Sequence, residues 1–210
     1  MAGKPDPEYV KARRVLMDAL AALSPHSDAL VLVGAQAIYL RVGGSELAVA
    51  PYTTDGDLVI HPGELLDSPL LEQALDDGRC FTVRVAGPAA LLVSKLHKIA
   101  DREGRPDRLG DKDALDILRL LQGTKARELA GSLHRLLASE VSGDVTRQAL
   151  GLLQRLFGIE DAPGVEMAVR ATEGLEEAAV IRLSCTMLAA ELLEATGSDA
   201  TSTDPKGPRR

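Results

Sequence analysis

The strongest constraint on the fold is a change in residue pattern at Pro88. Before this proline, three runs rich in β-branched and apolar residues predict strands, at Ala29–Val33, Tyr52–Ile60 and Arg79–Ala86. After it, apolar residues recur at helical spacing and no segment favours a strand. The pattern therefore predicts an α+β fold, in which a small mixed β-sheet core is followed by a mostly helical C-terminal half.

The same pattern divides the chain into three regions. We expect an α+β core with an N-terminal helix over residues 1–103, a helical region over 104–196, and a disordered tail over 197–210, which holds no large aliphatic residue. Within the first region, further helices are predicted at 35–42 and 64–75. Within the second, helices are predicted near 111–121, 125–137, 145–157, 166–171 and 175–194.

Composition excludes several classes of protein. The chain has 210 residues, and its formal net charge of −7 gives it no global attraction for phosphate backbones. General nucleic-acid coating and a helical DNA-binding regulator are therefore disfavoured. Because no long uncharged apolar run is present, we expect a cytoplasmic protein without a membrane partner. Cys80 and Cys185 lie far apart without metal-ligand spacing, so we expect small core residues.

Two aspartates in the second predicted strand form the sharpest candidate site. Side chains two positions apart on a strand point to the same face, so Asp55 and Asp57 would present both carboxylates at one edge. Oxygen ligands of this kind suit Mg²⁺, which accepts one or two carboxylates together with substrate phosphates. The alternative is a polar segment beside a turn, because Asp and Gly are ordinary turn residues.

A second candidate lies in residues 95–119, which hold seven of the chain's 24 lysines and arginines. Lys95 and Arg102 fall on one stripe of a predicted helix, and local positive charge can bind phosphate even in an acidic protein. The segment also contains six acidic residues, so the alternative is a solvated helix face with paired charges. Asp113 and Asp116, three apart on the next helix, either form an exposed edge or hold one of these cations in place.

Taken in order, four segments are more informative than any one of them. They are LVGAQA at 32–37, TTDGDL at 53–58, LLVSKLHKIADR at 91–102 and DKDALDI at 111–117. In this order they resemble the AbiEii-type nucleotidyltransferases of the DNA polymerase β-like superfamily, over residues 30–121. That family includes toxins of bacterial toxin–antitoxin pairs, some of which transfer nucleotides to tRNA. The predicted α+β core would then be a nucleotidyltransferase-like one.

The resemblance implies a role for each matching residue. Asp55 and Asp57 would hold Mg²⁺, and Gly34 would form the turn that contacts the triphosphate. Lys95 would bind the nucleotide phosphates, with Arg102 behind it. The implied catalytic residues are Asp55, Asp57, Lys95 and Asp116, and the implied nucleotide-binding residues are Gly34, Lys95 and Arg102.

This set implies Mg²⁺-dependent transfer of a nucleoside monophosphate from an NTP to a hydroxyl acceptor. The resemblance extends to RNA or tRNA as the acceptor and to an antitoxin protein as a partner. Members of the superfamily normally have a third carboxylate on a neighbouring strand, whereas the predicted strand Arg79–Ala86 contains none. The alternative is therefore a catalytically inactive module that keeps the scaffold for binding or interaction.

Overall fold

A computed structural model of the chain describes residues 7–42, 57–60, 70–73, 79–103 and 110–200. The helices are α1 (Pro7–Ala22), α2 (Gly34–Val42), α3 (Pro88–Ala100), α4 (Asp111–Gly123), α5 (Ala126–Ala138), α6 (Gly143–Phe157), α7 (Pro163–Ala171) and α8 (Ala178–Ala200). A 3₁₀ helix spans Ser24–Ala29, and the strands are β1 (Leu30–Val33), β2 (Asp57–Ile60), β3 (Leu70–Gln73) and β4 (Cys80–Val83). The chain forms two compact units, Met1–Leu92 and Val93–Arg210. The predicted division after residue 103 stays a prediction.

The strands of the first unit form two short antiparallel pairs, β1 with β2 and β3 with β4. Leu30, Val31 and Leu32 of β1 are at most 4% exposed, because this apolar strand lies in the core of the unit. An isolated parallel bridge joins Leu32 to Val85 beyond the end of β4. The Leu32 amide donates to the carbonyl of residue 84 at 2.8 Å, and the Leu32 carbonyl accepts from the amide of residue 86 at 2.9 Å.

The predicted α+β class with a small mixed β-sheet core is wrong, because the described chain is mostly helical. Its strands have four residues each and form two separate pairs. Residues 70–73, which we expected within a helix over 64–75, form β3, and the strand predicted over 79–86 is regular only at Cys80–Val83. Strand pairing depends on residues distant in sequence, so a local pattern specifies it less well than it specifies a helix.

The described part of the second unit contains the end of α3 and the helices α4 to α8. All five helices predicted for residues 111–194 are confirmed, and residues 110–200 contain no strand. Their apolar residues recur every three or four positions and meet in one core, where Ile117, Leu133, Leu153 and Phe157 are at most 1% exposed. Helical periodicity is a local property, which is why the sequence predicted this half well.

The last helix, α8, contributes Ile181, Cys185, Ala189 and Leu192 to the core of the second unit. Cys185 is therefore the small core residue that we predicted, and burial raises the pKa of its thiol to about 12. The helix continues to Ala200, past the predicted start of the tail at residue 197, and residues 201–210 lie outside the described residues. None of the described helices is both long enough and apolar enough to cross a membrane.

Candidate functional site

The first part of the candidate site is the turn between β1 and α2. Gly34 begins α2 with a φ of 76°, in the left-handed region where a side chain is strained. Gly34 and Ala35 are partly exposed, so the turn reaches the surface at the point where the buried strand ends. Backbone N–H groups at the start of a helix have no intrahelical partner and bind anions. This geometry has the chemistry that the resemblance implies for a triphosphate contact.

Strand pairing places Asp57 beside this turn. The antiparallel register sets Asp57, the first residue of β2, opposite Val33, the last residue of β1. Since Gly34 follows Val33 directly, the backbone of Asp57 and the glycine turn lie at the same end of the strand pair. The structure thus brings together two of the six predicted site residues, from positions more than 20 apart in sequence.

The predicted magnesium ligands are described only in part. Asp55 lies outside the described residues, and for Asp57 the strand position alone is described. Among the described residues, no group of three or more His, Cys, Asp or Glu side chains is arranged to hold a metal ion. Carboxylate oxygens are ligands that Mg²⁺ prefers, so the residue types of Asp55 and Asp57 fit this ion in donor chemistry. Magnesium binding by Asp55 and Asp57 stays a prediction.

Gln36 is a feature of this turn that the sequence analysis missed. It is the third residue of α2, it is fully buried, and neither its Nε2 nor its Oε1 atom has a hydrogen-bond partner within the described parts of the chain. Its neighbours Ala37 and Ile38 are also fully buried. A glutamine between Ala35 and the apolar residues Ala37 and Ile38 is the sequence signal that could have drawn attention to it.

A separate candidate is a buried ion cluster in the second unit. We call it the Lys95 cluster, and its members are Lys95, Arg102, Asp113, Asp116 and Arg119. The Lys95 ammonium donates to Asp113 Oδ1 at 2.6 Å and to Asp116 Oδ2 at 2.8 Å. An Arg102 terminal nitrogen donates to Asp113 Oδ2 at 2.6 Å, and an Arg119 terminal nitrogen donates to Asp116 Oδ1 at 3.3 Å.

Helix geometry explains how the Lys95 cluster forms. Asp113 and Asp116 are three apart on α4 and therefore share one face, which is buried. Lys95 is one of the buried residues of α3. The side chains of these three residues are at most 6% exposed, whereas that of Arg102 is 26% exposed. The interpretation that the two aspartates hold one of these cations in place is confirmed, since both accept from Lys95, and the interpretation of an exposed edge is wrong.

The charge state of Lys95 follows from two opposing effects. Burial alone lowers the pKa of its ammonium, but the negative charges of Asp116 and Asp113, together with the hydrogen bonds to both, outweigh it and raise the pKa above its ordinary value. Lys95 is therefore a protonated, paired cation at neutral pH. Its predicted catalytic role with Asp116, and its predicted phosphate-binding role with Arg102, stay predictions.

Comparison with known proteins adds no family to this description. No protein-family model matches the chain, and no curated protein or solved structure matches it at a significant level. The function is therefore inferred from the sequence motifs, from the turn at Gly34 and from the Lys95 cluster.

Proposed function

We propose that this protein is a Mg²⁺-dependent nucleotidyltransferase, which moves a nucleoside monophosphate from an NTP to a hydroxyl acceptor and releases pyrophosphate. The observation that carries the proposal is the left-handed Gly34 turn at the start of α2, with Asp57 in register beside it. A helix start that can bind phosphate, with an aspartate position in register beside it, supports a site for a metal-bound triphosphate.

Each of the three predicted site residues in the first unit, Gly34, Asp55 and Asp57, has a distinct role in this proposal. Gly34 has no side chain, so the backbone of the turn can approach the triphosphate closely. The N–H groups of the first turn of α2 donate to the phosphate oxygens, and the helix dipole favours their negative charge. Asp55 and Asp57 hold Mg²⁺, which when bound neutralises charge on the triphosphate. An RNA or tRNA acceptor and an antitoxin partner belong to the proposal through the sequence resemblance.

The activity is tested by incubating the purified protein with Mg²⁺, an RNA pool and each of the four radiolabelled NTPs. We expect label in the RNA or in the protein itself. Asp57→Asn should reduce labelling at least about 100-fold, because it removes a metal ligand. Asp144→Asn is the matched control, since Asp144 is 89% exposed in the second unit and should leave labelling unchanged. Absence of label with all four NTPs contradicts the proposal.

A second candidate is a non-catalytic module that binds nucleotides without turnover. One observation favours it: Lys95 and Arg102 already bond carboxylates, which makes both cations less available to a nucleotide. The two candidates differ in a single measurement. Calorimetric binding of an NTP without any release of pyrophosphate supports the module, whereas pyrophosphate release supports the transferase.

A further inference from the structure

The buried carboxamide of Gln36, which has no hydrogen-bond partner among the described residues, is of the kind that a ligand could satisfy. Its side chain is fully buried, and its donor and its acceptor both lack partners among the residues that the structure describes. Burial of an amide without hydrogen bonds destabilises a folded protein, and such groups are rare in native structures. A bound molecule that supplies both hydrogen bonds would remove this cost.

The position of Gln36 connects it to the Gly34 turn. Side chains on a helix lean towards its N-terminus, so the third residue of α2 covers the turn that Gly34 begins. The three residues of that turn, Val33, Gly34 and Ala35, are partly exposed. A ligand bound at the start of α2 would contact this turn, and its contact with the Gln36 amide would require a local rearrangement that uncovers the amide.

The chemistry of the amide selects which part of a nucleotide it binds. A phosphate only accepts hydrogen bonds, so it would satisfy Nε2 and leave Oε1 unpaired. A ribose hydroxyl both donates and accepts, and the 2′,3′-diol matches the donor and the acceptor of the amide together. The ribose is attached directly to the α-phosphate, whereas the base lies one sugar farther from the phosphate turn.

We propose that Gln36 binds the ribose hydroxyls of the NTP and makes the site selective for ribonucleotides. This inference rests on the proposed nucleotide site at Gly34 and specifies its substrate class. Gln36 acts here as a specificity-determining residue, because it contacts the sugar and not the reacting phosphate.

The test compares binding of each of the four Mg²⁺-NTPs with that of the matching 2′,3′-dideoxy-NTP, by calorimetry on the full chain. We expect the wild type to bind the ribonucleotide at least about tenfold more tightly, the effect of one or two hydrogen bonds. Gln36→Met keeps the length of the side chain and removes the amide. It should bind both nucleotides equally, with the affinity that the wild type shows for the dideoxy form.

Unfolding temperatures measured without ligand provide a second test. Because Gln36→Met removes unpaired polar atoms from the core, its unfolding temperature should equal or exceed that of the wild type. Thr146→Val is the matched control, since the Thr146 hydroxyl is also buried and unpaired among the described residues but lies in the second unit. It should keep the wild-type stability or exceed it, and it should keep the full preference for ribonucleotides.

The possible outcomes separate this inference from the proposed function. If the wild type binds no NTP, both are overturned. If the wild type binds NTPs without preferring ribonucleotides, or if Gln36→Met keeps the preference, only the role of Gln36 is overturned. A lower unfolding temperature for both Gln36→Met and Gln36→Leu would show that the amide is satisfied within the protein, and would also overturn it.

Discussion

At the scale of single residues, the Lys95 cluster shows how buried charge is tolerated. Each member is paired: Lys95 bonds two carboxylates, and Asp113 accepts from Lys95 and Arg102. Burial of a single charge costs several kcal/mol, and the opposite charges offset this cost only while the set is complete. Removal of one member should therefore lower the free energy of unfolding by more than the hydrogen bonds of that member contribute.

Asp113→Ala should destabilise the protein by about 3–5 kcal/mol, because it leaves Arg102 without this carboxylate and leaves Lys95 with Asp116 alone. The free energy of unfolding is measured by urea denaturation. Asp144→Ala is the control, since Asp144 forms an exposed pair with Arg147 and its loss should cost less than about 1 kcal/mol. Equal effects of the two substitutions would contradict the argument.

The raised pKa of Lys95 predicts a dependence of stability on alkaline pH. A lysine that holds its proton more tightly when folded contributes stability that is complete below its unfolded pKa of 10.5 and is lost as pH rises through the higher folded pKa. The wild type should therefore lose stability relative to Lys95→Met as pH rises above about 10.5. Urea titrations of both proteins from pH 8 to pH 11.5 measure the difference, and a difference that stays constant would contradict the prediction.

At the scale of elements, the glycine turn before α2 combines a structural requirement with the proposed phosphate contact. Gly34 and Gly174 have nearly identical φ values, 76° and 77°, and both are conformations that other residues adopt at a cost. They lie in different units of the chain, and only Gly34 lies beside the register position of Asp57. Substitutions at the two glycines therefore distinguish the effect of backbone strain from the effect of a lost ligand contact.

Gly34→Ala and Gly174→Ala should each destabilise the protein by about 1–2 kcal/mol through the strain of a positive φ. At Gly174 an added Cβ atom meets nothing within 4 Å, so strain is its whole effect. Only Gly34→Ala should also weaken Mg²⁺-NTP binding, which is measured by calorimetry below the unfolding temperature of both variants. Equal loss of binding in both would mean that the turn has no direct contact with the nucleotide.

Elements defined by local periodicity were predictable from sequence, and those defined by distant pairing were not. The helices of residues 111–194 and the helix after Gly34 follow from apolar spacing and from breakers such as Gly and Pro. β3 was missed because Leu70–Gln73 gains its strand conformation from β4 and has no strand pattern of its own. In the candidate site, Gly34 carried a local signal, whereas the unpaired amide of Gln36 depends on what surrounds it in three dimensions.

At the scale of the whole molecule, the net charge of −7 and the Lys95 cluster limit how the protein can recognise nucleic acid. The sequence concentrates positive charge in residues 95–119, but Lys95, Arg102 and Arg119 each bond an aspartate in the structure. That charge is less available to phosphate than composition suggests. If the proposed function holds, recognition of an RNA acceptor would depend on shape or on the bound nucleotide rather than on a broad basic surface.

We therefore expect binding to random duplex DNA and random single-stranded RNA to be weaker than the usual non-specific range, with a Kd above about 10⁻⁴ M at 0.15 M salt. Fluorescence anisotropy of labelled 30-residue oligonucleotides measures this Kd. Repetition at 0.05 M salt gives the slope of log K against log salt concentration. Because each neutralised phosphate adds nearly one unit to the slope of log K against log salt, few phosphate contacts should leave that slope shallow.

Micromolar binding with a steep slope would show that a basic surface outside the Lys95 cluster recruits the acceptor through its phosphates. Such a surface would make RNA binding independent of the nucleotide site, and Asp57→Asn would then abolish transfer while leaving RNA affinity unchanged.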